Sequence, residues 1–178
     1  MGFARILKDE SGRPSGYREC DGEVCWLPRQ ESYEHKFRRI KVELGTVRVL
    51  NHDFLCDRTR VYRQGILLKG ISPEGFRVIN AVFTGNDQVI YTPLGDAKVA
   101  YPESFEALDS GGIPENGYFP VSYGRDEEFV YFYDGSTDTR HAIRVRGCQD
   151  PASFVSFGDG NGRDSRRQFS YGRVKQGS

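Results

Sequence analysis

Residues 57–79 read DRTRVYRQGILLKGISPEGFRVI and contain both halves of a unit that the chain repeats. The first half is a hexapeptide that starts at Asp57 and ends at the aromatic Tyr62. An Asp that opens a turn, followed by a β-branched and an aromatic residue, is typical of a turn leading into a strand. The second half starts at Pro73 and runs Pro-x-x-Phe into alternating apolar residues, which predicts another turn and another strand.

The unit recurs with a period of 29 residues. Residues 42–62 align at this offset with residues 71–91, and Pro73, Glu74 and Phe76 align in turn with Pro102, Glu103 and Phe105. The hexapeptide occurs at 21–26, 57–62, 86–91, 126–131 and 164–169, and the Pro-x-x-Phe half at 73–79, 102–108 and 151–157, with a weaker copy at 44–50 where Val47 replaces the phenylalanine. We expect the repeated Asp or Asn to close a turn onto its own backbone and the aromatic residue to pack in the core.

These patterns predict an all-β fold in which degenerate tandem repeats of short antiparallel strands stack into one continuous domain over residues 1–178. Ten Tyr, twelve Phe and 21 Gly in 178 residues favour many short strands with tight turns. A unit of this size cannot bury its apolar face alone, so neighbouring units must stack. We place the units at about 21–51, 52–80, 81–119, 120–158 and 159–178 and expect two or three strands in each.

The repeat resembles the DKNYY-repeat family of bacterial proteins. Residues 57–79 carry the resemblance best, through Asp57, Val61, Tyr62, Gly65, Leu68, Gly70, Pro73 and Phe76. The Lys and Asn that follow the leading Asp in the family are absent from every copy here. The resemblance implies a repeat fold and no catalytic residues, and some similar proteins look like immunity partners of bacterial toxins.

Three stretches interrupt the period and are the candidate binding loops. Seven extra residues lie between Trp26 and Leu44, eleven in the run 109–119, and nine between Tyr131 and Pro151. Insertions that a regular stack does not need lie at the surface, where repeat proteins usually place their contacts. Surface length without a role is the alternative reading, because added loop length costs little closure entropy.

Charge is distributed in blocks although the net charge is zero. Residues 28–69 and 139–178 each carry +5, whereas residues 100–138 carry −8 and include the second insertion. A concentrated negative surface suits a basic protein partner, although it also suits a solvated face neutralised by its flanks. The predicted partner-binding residues are Glu115, Tyr118, Phe119, Asp126, Glu127, Glu128, Tyr133, Asp134 and Asp138, with the three aromatic residues expected to be exposed.

Other kinds of site have little support. The three histidines lack metal-ligand spacing, no nucleophile elbow or phosphate loop occurs, and we predict no enzyme, cofactor, metal or nucleic-acid site. The run 158–164 offers Asp159, Asn161 and Asp164 as calcium-type ligands but lacks the later bidentate Glu. The four cysteines are expected to be reduced, and the absence of an export signal or apolar span predicts a cytoplasmic protein.

We therefore hypothesise a cytoplasmic immunity protein that occludes the active site of a secreted toxin, such as a nuclease or a type VI effector. The alternative is a structural repeat module that binds peptide or glycan along a ladder of surface aromatic residues. The toxin, the oligomeric state and the relative positions of the three insertions are not determined by the sequence.

Overall fold

The computed structural model describes residues 5–27, 38–137 and 141–175. The fold is all-β, as predicted, and consists of five four-stranded antiparallel sheets. Each sheet is a meander in which strands pair in chain order. Short turns join most of the neighbouring strands, and the longer connections lie at the three insertions. The chain divides into two compact units, Met1–Glu74 and Gly75–Ser178.

The first unit holds two sheets. Sheet 1 consists of β1 (Arg5–Lys8), β2 (Pro14–Cys20), β3 (Glu23–Trp26) and β4 (Arg38–Ile40). Sheet 2 consists of β5 (Arg48–Val49), β6 (Phe54–Cys56), β7 (Val61–Arg63) and β8 (Ile66–Leu67). Both sheets contribute to one buried cluster, formed by Tyr17, Val24, Trp26, Ile40, Val49, Leu55 and Tyr62.

The second unit holds three sheets. Sheet 3 consists of β9 (Arg77–Val78), β10 (Thr84–Asn86), β11 (Val89–Thr92) and β12 (Gly95–Asp96). Sheet 4 consists of β13 (Glu106–Ala107), β14 (Val121–Arg125), β15 (Val130–Asp134) and β16 (Ile143–Arg144). Sheet 5 consists of β17 (Val155–Gly158), β18 (Asn161–Arg163), β19 (Gln168–Ser170) and β20 (Arg173–Val174).

Sheet 4 is covered on both faces. Tyr131 and Tyr133 of β15 share a cluster with Phe83 of sheet 3, whereas Val130 and Phe132 share another with Phe169 of sheet 5. Successive side chains of a strand point to opposite faces, so β15 serves both clusters by alternation. The stacking of neighbouring repeats that the sequence predicts is therefore present within the second compact unit.

The repeated acidic residue closes the turn of the central hairpin in its sheet. The Asp57 carboxylate accepts hydrogen bonds from the backbone N–H groups of Thr59 (2.8 Å) and Arg60 (2.7 Å), and its second oxygen accepts one from Glu43 N–H (3.2 Å). One oxygen of Asp164 likewise accepts from the N–H groups two and three residues ahead, and its other oxygen accepts from Gln149 N–H. The Asn86 amide oxygen accepts from the N–H groups two and three residues ahead. The first copy differs because Asp21 has φ 52° in a two-residue turn that pairs Cys20 with Glu23.

Three of the four copies of the Pro-x-x-Phe half form a short 3-10 turn ahead of the first strand of a sheet, and the copy at Pro73 forms an ordinary turn in the same place. The 3-10 turns span Leu44–Thr46, Pro102–Ser104 and Pro151–Ser153. The phenylalanine that ends each motif, Phe76, Phe105 or Phe154, is buried. Among the described residues, the predicted units 21–51 and 159–178 hold three strands each, as expected, whereas 52–80, 81–119 and 120–158 hold four instead of two or three. Seven of the ten edge strands described are two-residue segments, which carry too few residues for a periodic signal.

The predicted unit boundaries are out of phase with the sheets. A boundary at 80/81 separates β9 from β10, and one at 119/120 separates β13 from β14, although each pair belongs to one sheet. All four cysteines are free thiols in the structure. No helix among the described residues is long and apolar enough to cross a membrane.

Candidate functional site

The hairpin β14–β15 lies within the acidic segment, residues 100–138, and has two distinct ends. Val121 pairs with Asp134 at one end, where the second and third insertions begin or finish, and Arg125 pairs with Val130 at the other. We call these the insertion end and the turn end. Five-residue strands hold the two ends about 14 Å apart.

The second and third insertions meet at the insertion end. Gly135 N–H donates to the carbonyl of Pro120 (2.9 Å), so the start of the third insertion lies against the residue that follows the second. The second insertion turns through Pro114–Gly117, where Gly117 N–H donates to Pro114 O (2.9 Å), and it returns to the sheet at Val121. This contact fixes two of the three insertions at one place in the second unit.

Large apolar side chains of the second insertion are exposed. Tyr118 is 89% exposed, Ile113 62% and Phe119 51%, although residues of this size are usually packed. Glu115 and Asn116, between them in sequence, are exposed as well. Exposed apolar groups rimmed by polar ones are typical of protein-binding surfaces.

A groove of about 470 Å³ lies between the edge strands of sheets 4 and 5. Its walls carry Ile143 and Arg144 of β16 with Arg146 on one side, and Tyr171, Arg173 and Val174 on the other. Asp134 and Thr137 of the third insertion also line it. We call this feature the arginine groove. It had no signal in the sequence beyond the positive charge of residues 139–178, because β16 and β20 are far apart in the chain.

One wall of the arginine groove is anchored by a buried tyrosine. Tyr171 (φ 48°) and Gly172 (φ 72°) form the turn between β19 and β20. The Tyr123 hydroxyl donates to Gly160 O (3.0 Å) and accepts from Gly172 N–H (3.0 Å). Burial raises the pKa of Tyr123 to about 12, so the hydroxyl keeps the proton that it donates. The Tyr171 ring packs edge-on against Phe132, with ring centroids 6.0 Å apart.

The turn end carries an acidic surface of its own. Glu127 and Glu128 are exposed in the loop between β14 and β15, and Glu103 is exposed on the neighbouring 3-10 turn. The Ser104 hydroxyl accepts a hydrogen bond from Glu127 N–H (3.1 Å), which ties the two segments together. The charge of Glu128, which also hydrogen-bonds Tyr101, raises the pKa of that tyrosine.

The structure corrects two of the predicted contact residues. Tyr133 is 1% exposed and belongs to the core between sheets 3 and 4, so the expectation that it is a surface aromatic is wrong. Asp126 is 4% exposed and points into the fold. Its carboxylate accepts hydrogen bonds from the N–H groups of Glu128 (3.0 Å), Phe129 (2.7 Å) and Tyr101 (3.1 Å) and from the Tyr131 hydroxyl (2.6 Å).

The remaining predicted residues do not form one patch. Glu115, Tyr118 and Phe119 are exposed on the second insertion, and the half-buried Asp134 accepts hydrogen bonds from Ser136 beside it. Glu127 and Glu128 lie at the opposite end of the hairpin. Asp138 lies outside the described residues, as does most of the first insertion, residues 28–37.

Other carboxylates of the acidic segment serve the fold. Glu106 forms a salt bridge with Arg125 (2.6 Å). Asp109 accepts hydrogen bonds from the hydroxyls of Ser122 (2.7 Å) and Ser156 (2.6 Å). The −8 charge of residues 100–138 already counts Arg125, but it includes Asp109 and Asp126, which are hydrogen-bonded within the fold and are not presented to a partner.

The 158–164 run is a hairpin connection rather than an open ligand loop. Asp164 is 6% exposed and is hydrogen-bonded to backbone N–H groups, and the Asn161 side chain donates to Asp159 O (3.2 Å). Within the described ranges, no group of three His, Cys, Asp or Glu side chains is placed to hold a metal ion. Comparison with protein-family models, curated proteins and solved structures finds no match for this chain.

Proposed function

We propose that this protein is a cytoplasmic immunity protein that binds a secreted bacterial toxin and blocks its active site without catalysing a reaction. The observation that carries the proposal is the meeting of two insertions at Pro120 and Gly135, with the Tyr118 and Phe119 rings exposed beside them. Large aromatic side chains supply much of the affinity at protein interfaces when a partner buries them. The resemblance to the DKNYY-repeat family points to the same class of function.

One partner is large enough to contact both the insertion end, with Glu115, and the turn end, with Glu127 and Glu128. A standard protein interface buries about 800 Å² on each side, which is wide enough to cover both ends of a hairpin about 14 Å long. In this arrangement Tyr118 and Phe119 act as anchors, while Glu115, Glu127 and Glu128 meet lysine and arginine residues of the toxin. Complementary charges of this kind speed encounter and reject wrong partners. A nuclease cleft, which is basic because it binds phosphate, is a suitable target.

The alternative of a peptide- or glycan-binding ladder has less support. It requires the repeated aromatic residues to be at the surface, yet even Tyr91 is half-buried, and Trp26, Tyr62, Tyr131 and Phe169 are all at most 8% exposed. Their rings form the cores between sheets and offer no flat face to a sugar.

The proposal is tested by capturing the partner and then measuring protection. The tagged protein is recovered from its own bacterium, and a stoichiometric partner is identified by mass spectrometry. That partner is then expressed in a sensitive host with the wild-type protein or with the Tyr118→Ala/Phe119→Ala variant. We expect the wild-type protein to restore growth and the variant to protect at least tenfold less.

A matched control separates the insertion end from general surface changes. Val155 and Phe157 of sheet 5 are also exposed, at 48% and 60%, and they lie outside both insertions. The Val155→Ala/Phe157→Ala variant should protect like the wild-type protein. A captured partner that is harmless to the host, or equal protection by all three proteins, contradicts the proposal.

A further inference from the structure

We propose that the arginine groove is a second binding site, which takes an extended acidic peptide segment of a protein partner. The site combines two exposed edge strands, the arginines Arg146 and Arg173, and a rigid apolar wall within one unit. It differs from the insertion-end surface in charge and borders it at Asp134 and Thr137, whereas the arginines and the apolar wall belong to the groove alone. The inference therefore goes beyond the proposed inhibition of a toxin.

Two arginines of the groove are available to a ligand. Among the described residues, Arg146 and Arg173 have exposed side chains that form no ion pair or hydrogen bond. Arg144 contributes to the groove wall but pairs with Tyr131, and its guanidinium lies 3.8 Å from the centre of the Phe129 ring on the sheet 3 face. Arg146 and Arg173 are therefore the arginines that a ligand in the groove would meet. Arginine side chains bind carboxylates through paired N–H donors, so this set suits a ligand that carries several carboxylates.

The backbone of the groove suits an extended chain. β16 and β20 are the last strands of sheets 4 and 5, so each pairs on one side only, with β15 and β19 respectively. The free side of an edge strand presents N–H and C=O groups to which another strand can add. In an extended peptide alternate side chains point in opposite directions, so one row of carboxylates faces the arginines while the backbone lies along an edge.

Apolar contacts and preorganisation add to the site. Ile143, Tyr171 and Val174 line the groove and are between 37% and 50% exposed, so that ligand binding would cover them. The Tyr171–Gly172 turn is already fixed by the Tyr123 hydroxyl and by the Phe132 ring. A wall that is ordered before binding reduces the entropy that the complex loses.

The same features favour peptide over nucleic acid. Single-stranded nucleic acid is bound by successive aromatic side chains that stack on bases, whereas Tyr171 is the single aromatic residue exposed in this groove among those described. Asp134 also lines the groove and would repel a continuous chain of phosphates. A peptide can place an uncharged residue opposite Asp134, whereas a nucleic-acid strand carries a charge at every nucleotide.

The test measures binding of a labelled probe by fluorescence anisotropy. The probe is a fluorescein-labelled decapeptide of alternating Glu and Thr, and the comparison probes are the equivalent Lys and Thr peptide and a ten-nucleotide oligo-dT. We expect the acidic peptide to bind the full chain, with affinity that falls as salt rises, and the basic peptide not to bind. The Arg146→Gln/Arg173→Gln variant should lose about tenfold or more in affinity.

The matched control removes the same charge from the same unit outside the groove. Arg163 and Arg166 are exposed residues of the sheet 5 region that do not line the groove, and the Arg163→Gln/Arg166→Gln variant should bind within about twofold of the wild-type protein. Far-UV circular dichroism confirms that both variants fold. Equal loss in both variants, no binding of the acidic peptide, or tighter groove-dependent binding of oligo-dT overturns the inference. None of these results depends on Tyr118 or Phe119, so the two proposals fail separately.

Discussion

Replacement of Asp126 by alanine should destabilise the second unit strongly. The buried carboxylate accepts four hydrogen bonds, three from backbone N–H groups and one from the Tyr131 hydroxyl. Hydrogen bonds to a charged group are worth about 1.5–3 kcal/mol each, but the freed loop N–H groups regain part of this from water. We therefore expect a loss of about 3 kcal/mol in the free energy of unfolding.

Urea denaturation followed by far-UV circular dichroism measures this loss. With a slope of about 1.5 kcal/mol per molar urea, the midpoint should fall by about 2 M. Trp26, the single tryptophan, belongs to the first unit, so its fluorescence is not a probe of the changed region. Amide exchange of residues 121–134 should become faster in the variant.

Two variants make the prediction specific. Asp126→Asn keeps one acceptor oxygen, which is the arrangement that Asn86 shows at the equivalent turn, so it should lose about half as much as alanine. Glu127→Ala removes a neighbouring carboxylate that is exposed and should change stability by less than about 0.5 kcal/mol. A loss below about 1 kcal/mol in Asp126→Ala would refute the assignment of this carboxylate to the fold.

Three further outcomes follow from the same structure. Tyr123→Phe removes the hydroxyl that joins the Gly160 carbonyl to the Gly172 N–H and should cost about 1–3 kcal/mol in urea denaturation, with no change in core packing. Burial raises the pKa of Asp164, but hydrogen bonds from backbone N–H groups outweigh burial and hold that pKa below its ordinary value. The stabilisation from the Asp164 carboxylate is therefore present above about pH 4 and is lost as the pH falls through the folded pKa. The Asp164→Asn variant should flatten the decline of the urea midpoint at acid pH. Gly124→Ala would place a Cβ 2.3 Å from the Phe105 ring, so the thermal midpoint should fall by an amount equivalent to about 1–3 kcal/mol. In the control Gly45→Ala the new Cβ meets nothing within 4 Å, so the thermal midpoint should not change.

Local chemistry explains why the turns and cores were predictable. An Asp or Asn that bonds to backbone N–H groups two and three residues ahead needs no distant partner, so Asp57 and Asp164 behave as their hexapeptides predict. The buried Phe105 and Phe154 follow equally from the Pro-x-x-Phe half. Strand count was less accessible, because edge strands such as Ile66–Leu67 are defined by pairing to a neighbour and not by a pattern of their own.

The candidate site was predictable in part. The interrupted period locates the insertions, and exposure of Tyr118 and Phe119 agrees with that expectation. The sequence could not separate Glu127 from Asp126, since adjacent acidic residues look alike until one is buried in a hydrogen-bond network. Tyr133 was misplaced for a similar reason, because alternation along β15 does not reveal that both faces of sheet 4 are covered.

The sequence by itself determined the all-β class, the turn chemistry and the positions of the insertions, because these depend on neighbours within a few residues. Tertiary structure alone decided where a unit begins, since a periodic pattern has no intrinsic start and pairing of β9 with β10 places the boundary. It also brought Arg146 and Arg173 into one groove and separated the acidic residues onto two ends of a hairpin. Such placements depend on which sheets pack together, and that is set by side-chain burial across the whole unit.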